Sequence, residues 1–256
     1  MSIADSKQRF SSRVENYIKY RPSYPAGVID LLKEECGLNE NSVIADIGSG
    51  TGILSELLLK TVLRVFGVEP NKEMREAGER FLTEYSSFTS VAASAEDTTL
   101  PDNSIDIITA SQAFHWFDRA KAKAEFRRIL KPGGWVALIW NDRVTTTIPF
   151  LIEYERLLQT YSTDYKVVNH KELDPGAIGS FFEPGSFNLK KFENRQLFDF
   201  QSLKGRMLSS SYAPEEGHPN HEITLEKLRE IFDKYNVEGK VAFEYETAVY
   251  YGRLGK

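Results

Sequence analysis

The stretch from Val43 to Lys60, VIADIGSGTGILSELLLK, constrains this chain more than any other. A short apolar run ends at Gly48, glycines alternate with Ser49 and Thr51, and a leucine-rich helical period follows at once. A strand that passes through a glycine turn into a helix begins a βαβ unit, and the glycines let backbone approach a nucleotide-like ligand closely. Dinucleotide-binding folds, P-loops and adenosyl-cofactor folds all begin this way. A P-loop is disfavoured, because no Lys-Ser or Lys-Thr pair follows directly on the loop to reach terminal phosphates. The spacing Gly-x-Gly-x-Gly, in place of Gly-x-Gly-x-x-Gly, tilts away from a dinucleotide.

From about Ser42 to Trp140 the apolar runs SVIADIG, RVFGVE, FTSVAA, SIDIITA and WVALIW alternate with the helix-period segments ILSELLLKTV, NKEMREAGERFLTEY and DRAKAKAEFRRILK. Such alternation predicts a parallel sheet with helices on both faces. Asn71 and Asp118 stand where helix N-caps belong, and Lys131-Pro-Gly-Gly134 cannot continue the last helix. Beyond Trp140 the rhythm breaks. A helix near Pro149–Tyr161 leads into the irregular DPGAIGSFFEPG, then two long strands, FNLKKFENRQLFDF and KVAFEYETAVYYGRL, with helices near Ser202–Ser210 and Thr224–Asn236 between them. In the second strand Val241, Phe243, Tyr245, Val249 and Tyr251 share one face. This pair extends the sheet with one antiparallel strand.

Bulk properties exclude several classes. A chain of 256 residues with 41% hydrophobic and 27% charged residues has the composition of a globular protein with a real core. A net charge of −5 and no Lys/Arg block argue against nucleic acid as partner. A single cysteine, Cys36, rules out an internal disulfide framework and is read as a packed helix residue. No apolar run approaches the roughly 18 residues of a membrane span, and MSIADSKQRFSSR lacks a signal-peptide core, so the expected location is the cytoplasm.

Three later pieces separate the cofactor classes. Ser94-Ala95-Glu96-Asp97 stands after the third strand, LPDNSIDIITASQAFHWF carries the fourth, and LKPGGWVALIW opens the fifth. With Asp46-Ile-Gly48-Ser-Gly50-Thr-Gly52 and acidic Glu69 in that order, residues 40 to 140 resemble class I S-adenosylmethionine-dependent methyltransferases. FSSRVENYIKYRPSYP and FHWFD resemble the small-molecule branch with a type-11 methyltransferase domain, which includes trans-aconitate methyltransferases.

The resemblance implies an α/β, Rossmann-like fold in one domain, residues 1–256. Residues 1–40 would form an N-terminal helical cover, 41–140 the cofactor-binding core, 141–236 a substrate-covering and sheet-completing segment, and 237–256 the final strand. The sheet would be mostly parallel and seven-stranded, with an antiparallel last strand. In the same resemblance Gly48, Ser49, Gly50, Thr51 and Gly52 hold the methionine part of S-adenosyl-L-methionine, and Asp46 sits near its ammonium. Glu69 and Pro70 meet the ribose, Asn71 and Met74 flank the adenine, and Ala95 and Glu96 close over its edge. Ser111, Gln112 and Ala113 complete the cofactor contacts, while Tyr20 and Arg21 fold over the site, Arg21 pairing with the cofactor carboxylate. Chemistry agrees: the cofactor carries a sulfonium and an ammonium but no phosphate, which suits acidic and aromatic neighbours.

Around the expected acceptor stand Tyr17, His115, Trp116, Trp140, Arg143 and Tyr212. His115 either faces substrate, as the one histidine placed for base catalysis, or belongs to an aromatic lid over the core. Trp116 packs on ligand or between helix and sheet. Arg143 holds an acidic substrate or pairs with Asp142 or a surface carboxylate. His218 and His221 in GHPNH have metal-ligand spacing but no evident third ligand, so no metal is expected. The function expected is methyl transfer to a small molecule, a carboxylate among the candidate acceptors. The rivals are an NAD(P)-dependent oxidoreductase and a non-catalytic cofactor-binding protein. The oligomeric state is not legible.

Overall fold

The computed structural model describes residues 14–163, 165, 175–210 and 212–255, so residues 1–13 of the expected cover, Asp174 of DPGAIGSFFEPG and Ser211 lie outside the described residues. Strands β1 (Val43–Ile47), β2 (Arg64–Val68), β3 (Phe88–Val91), β4 (Ile105–Ser111), β5 (Leu130–Arg143), β6 (Phe187–Phe198) and β7 (Val241–Gly252) form one sheet in the order β3-β2-β1-β4-β5-β7-β6. The first five are parallel, and β7 runs antiparallel to both neighbours. The order reverses between β1 and β4, where open α/β sheets bind ligands beyond the carboxyl ends of their strands.

Helices α1 (Val14–Tyr20), α2 (Ala26–Cys36), α3 (Ile53–Leu59), α4 (Lys72–Phe81) and α5 (Arg119–Ile129) belong to the first half. Asn71 Oδ1 accepts from Met74 N at 2.9 Å and Asp118 Oδ1 from Lys121 N at 3.2 Å, so both expected N-caps form. Gly37, in the left-handed region at φ 72°, ends α2. Strand residues alternate between two cores, as a period of two requires. Ala45, Ile47, Val136, Leu138 and Trp140 face α5, whereas Ile44, Ala137 and Ile139 face α2 and α3.

After β5 come α6 (Pro149–Tyr161), α7 (Pro175–Phe182), α8 (Phe200–Leu208) and α9 (His221–Tyr235). The five β7 residues expected on one face are all buried, but they serve two cores. Val249 and Tyr251 pack with α2, while Val241, Phe243 and Tyr245 join α6, α8 and α9 in a third cluster. That third cluster is the base of a cover beside the carboxyl ends of the strands.

Helix α1 docks on this cover through backbone contact. A Cβ at Gly205 of α8 would overlap the Tyr20 ring, so only glycine allows the approach. Asn141 and Asn194 both donate to Ser23 O, at 3.3 and 2.8 Å, and fix the chain just after α1. Gly205→Ala should therefore lower stability by about 1–3 kcal/mol through overpacking. Amide exchange should accelerate in residues 14–24 before it does in β1 or β4; uniform acceleration would contradict local docking.

Candidate functional site

The site begins with the loop after β1. Gly48, Gly50 and Gly52 have φ of 69, 57 and 84°, a region that favours glycine, so the alternating glycines are the loop's conformation. Glu69, one residue past β2, is buried and bridges this loop to α4. Its Oε2 accepts from Gly50 N at 2.9 Å and its Oε1 from Asn71 N at 2.7 Å, while Arg75 Nη1 donates to its carbonyl at 3.1 Å. Burial raises the Glu69 pKa, against the lowering effect of the two amides.

These residues open onto a cleft enclosing about 870 Å³, including its solvent-open part. Gly48, Gly50, Glu69, Pro70, Asn71 and Met74 form one wall. Ser94, Ala95 and Glu96 follow from the segment after β3; Ser111, Gln112 and Ala113 come from the end of β4. Trp116 and Phe117 enter from the single helical turn Phe114–Trp116, and Tyr17 reaches across from α1. Glu96 Oε1 accepts from Asp118 N at 2.8 Å, which ties the cleft edge to the start of α5. Gln112 holds a φ of 54°, unusual for a residue with a side chain, and donates from Nε2 to Asn141 O at 3.2 Å. Two carboxylates and several aromatic rings line the cleft, and no Lys or Arg among the described residues does. Thirteen of the sequence-selected residues thus meet in one place, and Ser94 and Phe117 join them. Both belong to motifs already picked out, Ser94-Ala95-Glu96-Asp97 and FHWF.

Other expected residues stand elsewhere. Asp46 lies beneath the loop, fully buried, with Ser55 Oγ and Thr109 Oγ1 donating to its two oxygens at 2.7 and 2.9 Å; it does not line the cleft. Ser49, Thr51 and Gly52 close the loop turn without lining the cleft. Tyr20 packs against Gly205, and Arg21 donates from Nη2 to Ser209 O at 3.3 Å; neither lines the cleft. Trp140 is a core residue, edge-on to Phe114 and Tyr250, because it shares the strand face of Val136 and Leu138. Arg143 pairs with Glu155, at 2.6 Å, in place of Asp142, and Tyr212 stacks edge-on with Tyr165 inside the cover. His115 is half-buried against Trp116 at 4.7 Å, beside the cleft but not on its wall. His221 Nδ1 lies 2.9 Å from Pro214 O, and His218 Nδ1 accepts from Asn220 N at 3.1 Å. Cys36 is buried on α2.

Residues 45–138 match a family model described as a methyltransferase domain. That stretch is similar to methyltransferase domains, and the sheet around it has the class I methyltransferase fold. Among curated relatives, a methyltransferase of Mycobacterium bovis is 37% identical over 142 residues, 56% of each chain. A methyltransferase-like protein of Schizosaccharomyces pombe is 31% identical over 156 residues, 60% of this chain and 59% of the relative. The matches thus span 56% and 59% of these relatives' lengths. A solved type II methyltransferase of Anaeromyxobacter dehalogenans shares the methyltransferase fold over 92% of this chain and 98% of its own, with a TM-score of 0.66 at 23% identity. Geranyl diphosphate C-methyltransferase of Streptomyces coelicolor, solved with Mg2+, geranyl diphosphate and S-adenosyl-L-homocysteine, covers 90% of this chain and 77% of its own. It has a TM-score of 0.51 at 13% identity. Among the described residues no helix is long and apolar enough to cross a membrane.

Asp46 gives the domain a pH signature. Burial pushes its pKa up to about 6, against the lowering hydrogen bonds of Ser55 and Thr109. The unfolded value is about 3.9, so the folded chain holds this proton more tightly. The resulting stability is complete below about pH 4 and lost as pH rises through about 6. Relative to wild type, Asp46→Asn should gain about 2 kcal/mol between pH 4.5 and pH 7. Urea unfolding of both proteins at the two pH values measures it, and an equal difference at both would refute the assignment.

Proposed function

We propose that this chain is an S-adenosyl-L-methionine-dependent methyltransferase acting on a small-molecule acceptor. The observation that carries the reading is the Gly50 amide, which donates to the Glu69 carboxylate. In a dinucleotide enzyme that loop would face a pyrophosphate; here a buried carboxylate stands over it, and the described residues of the cleft wall offer no cation to a phosphate. An adenosyl sulfonium suits such a wall, since it brings positive charge and an apolar body. The Streptomyces neighbour's S-adenosyl-L-homocysteine supports the same choice of ligand.

In this reading Glu69 accepts from the ribose hydroxyls with the lone pairs left over from Gly50 and Asn71. Met74 and Ala95 take the adenine, Gly48 and Gly50 face the amino-acid part, and Ser111, Gln112 and Ala113 form the floor. The cofactor supplies an electrophilic methyl group. Tyr17, Trp116 and Phe117 exclude water and align the acceptor, which is the main protein contribution to an in-line displacement. A carboxylate acceptor needs no base, so His115 acts as a rim residue. Expected surroundings are cytoplasmic, in keeping with a single buried thiol.

Two measurements test this. Glu69→Gln replaces a carboxylate held by two amides with a side chain offering one acceptor oxygen. A charge-assisted hydrogen bond contributes about 1.5–3 kcal/mol, so the dissociation constant for S-adenosyl-L-homocysteine should rise roughly tenfold or more. Calorimetry showing unchanged affinity, or tighter binding of NAD+ than of S-adenosyl-L-homocysteine by the wild-type chain, would sink the proposal. His115→Ala should raise KM more than it lowers kcat, measured from pH 5 to 9 with whichever acid turns over. A fall in kcat of about 10²–10⁴-fold, with loss of a limb near neutrality, would instead make His115 a general base.

A further inference from the structure

Three guanidinium groups meet inside the cover, and among the described residues one carboxylate answers them. Arg143 Nη2 donates to Glu155 Oε2 at 2.6 Å and to Tyr165 Oη at 3.0 Å, and the Tyr165 hydroxyl in turn occupies Glu155 Oε1 at 2.5 Å. Arg206, only 4% exposed, has hydroxyl partners at long range: Tyr245 Oη and Ser210 Oγ, each at 3.4 Å. Arg21 has the Ser209 carbonyl at 3.3 Å. The Nε atoms of Arg21 and Arg143 are buried with no acceptor among the described residues.

The remaining neighbours are aromatic. Arg21 lies over Tyr17 at 4.7 Å, Arg143 over Tyr154 at 5.1 Å and Arg206 near Phe243 at 6.0 Å. Rings soften the burial of a cation but do not neutralise it. Among the described residues, three guanidiniums against Glu155 leave two positive charges in excess in a buried interior. Buried charges without partners are strongly unfavourable, and arginine forks are built for carboxylate and phosphate oxygens. The Tyr212 hydroxyl registers the same field: burial pushes its pKa up, yet Arg143, Arg206 and Arg21 together bring it below its ordinary value.

We propose that Arg21, Arg143 and Arg206, with the Tyr212 hydroxyl, form a subsite for a doubly charged oxyanion carried by the methyl acceptor. The position relative to the cleft supports this. Tyr17 lines the cofactor cleft and also stacks on Arg21, which follows α1 directly, so one short segment borders both places. The acceptor class is then a small dicarboxylate or a phosphate monoester, and its assignment as acceptor rests on the methyltransferase reading.

Thermal unfolding of the full chain in malonate, succinate, inorganic phosphate and acetate, at matched ionic strength, tests the subsite. A saturable rise in Tm of roughly 3–6 °C is expected at a tenfold excess over the dissociation constant. Malonate or succinate should produce it if the pocket suits two carboxylates, phosphate if it suits one compact dianion, and acetate should not. Arg206→Met should melt higher than wild type without anion, because a buried unpaired charge is gone, and should lose the saturable rise. Arg206→Lys should keep a weakened one, which answers the question even if the Met variant folds poorly. Equal, non-saturating shifts in all four salts, or an undiminished rise in Arg206→Met, would overturn the proposal. Calorimetry with S-adenosyl-L-homocysteine on the same wild-type sample separates the two readings. Cofactor binding without an anion response removes the subsite alone; an anion response without cofactor binding removes the methyltransferase reading alone.

Discussion

The Glu69 carboxylate occupies the junction on which the cofactor side of the site depends. Its two oxygens take the amide of Gly50 from the β1 loop and the amide of Asn71 at the start of α4. Asn71 in turn caps α4 through Met74 N. One side chain therefore fixes the loop, the strand end and the helix start against each other. A neutral residue there would leave two buried amides competing for water, at a cost of about 1–3 kcal/mol each. Asp46 repeats the device one layer down, where hydroxyls from α3 and β4 hold its carboxylate under the same loop. The loop is thus supported from both sides by carboxylates, while Glu69 and Glu96 give the cleft its acidic wall.

The cover is organised differently. Its base is aromatic, with Phe243 edge-on to Phe150, Tyr154 and Phe198. Its polar interior is cationic, built on Arg21, Arg143 and Arg206. These two halves meet along α1, held by the close approach of Tyr20 to Gly205 and by the Asn141 and Asn194 bonds to Ser23. Thr247 Oγ1 and Asn194 Nδ2 both donate to Asn141 Oδ1, so the end of β5 ties the sheet to the segment that closes the cleft. Gln112 reports to the same residue through the Asn141 carbonyl.

Much of this was legible because it is local. Strand parity, the caps at Asn71 and Asp118, the glycine spacing of the loop and the shared face of β7 all depend on residues within a few positions of one another. The cleft residues were legible for a related reason: parallel strands deliver their carboxyl ends to one edge, so short motifs at strand ends converge. Trp140 shows where that rule fails. It stands near the ligand edge, but its parity with Val136 and Leu138 turns it toward the core; alternation along β5 carried that signal. The partners of Arg21 and Arg143 had no such signal. Glu155 and Tyr165 lie 12 and 22 positions from Arg143, and Ser209 lies 188 from Arg21, so only packing brings them together.

The division of charge bears on what a transfer reaction does to the ensemble. A carboxylate acceptor near the acidic cleft would be repelled by Glu69 and Glu96 unless countercharge were supplied close by, which is the part proposed for the arginines of the cover. In a water-poor site such attractions are much stronger than in solution. Esterifying a carboxylate removes one negative charge from the acceptor, and converting a sulfonium to a thioether removes one positive charge from the cofactor. Under the proposed reading both ligands would then hold their pockets less firmly than before, the acceptor against Arg21, Arg143 and Arg206, the cofactor against its acidic wall. In that reading the same electrostatics that assemble the reactants would weaken the products. Segment 14–24, which borders both pockets through Tyr17 and Arg21, is the element through which both losses would be felt at once.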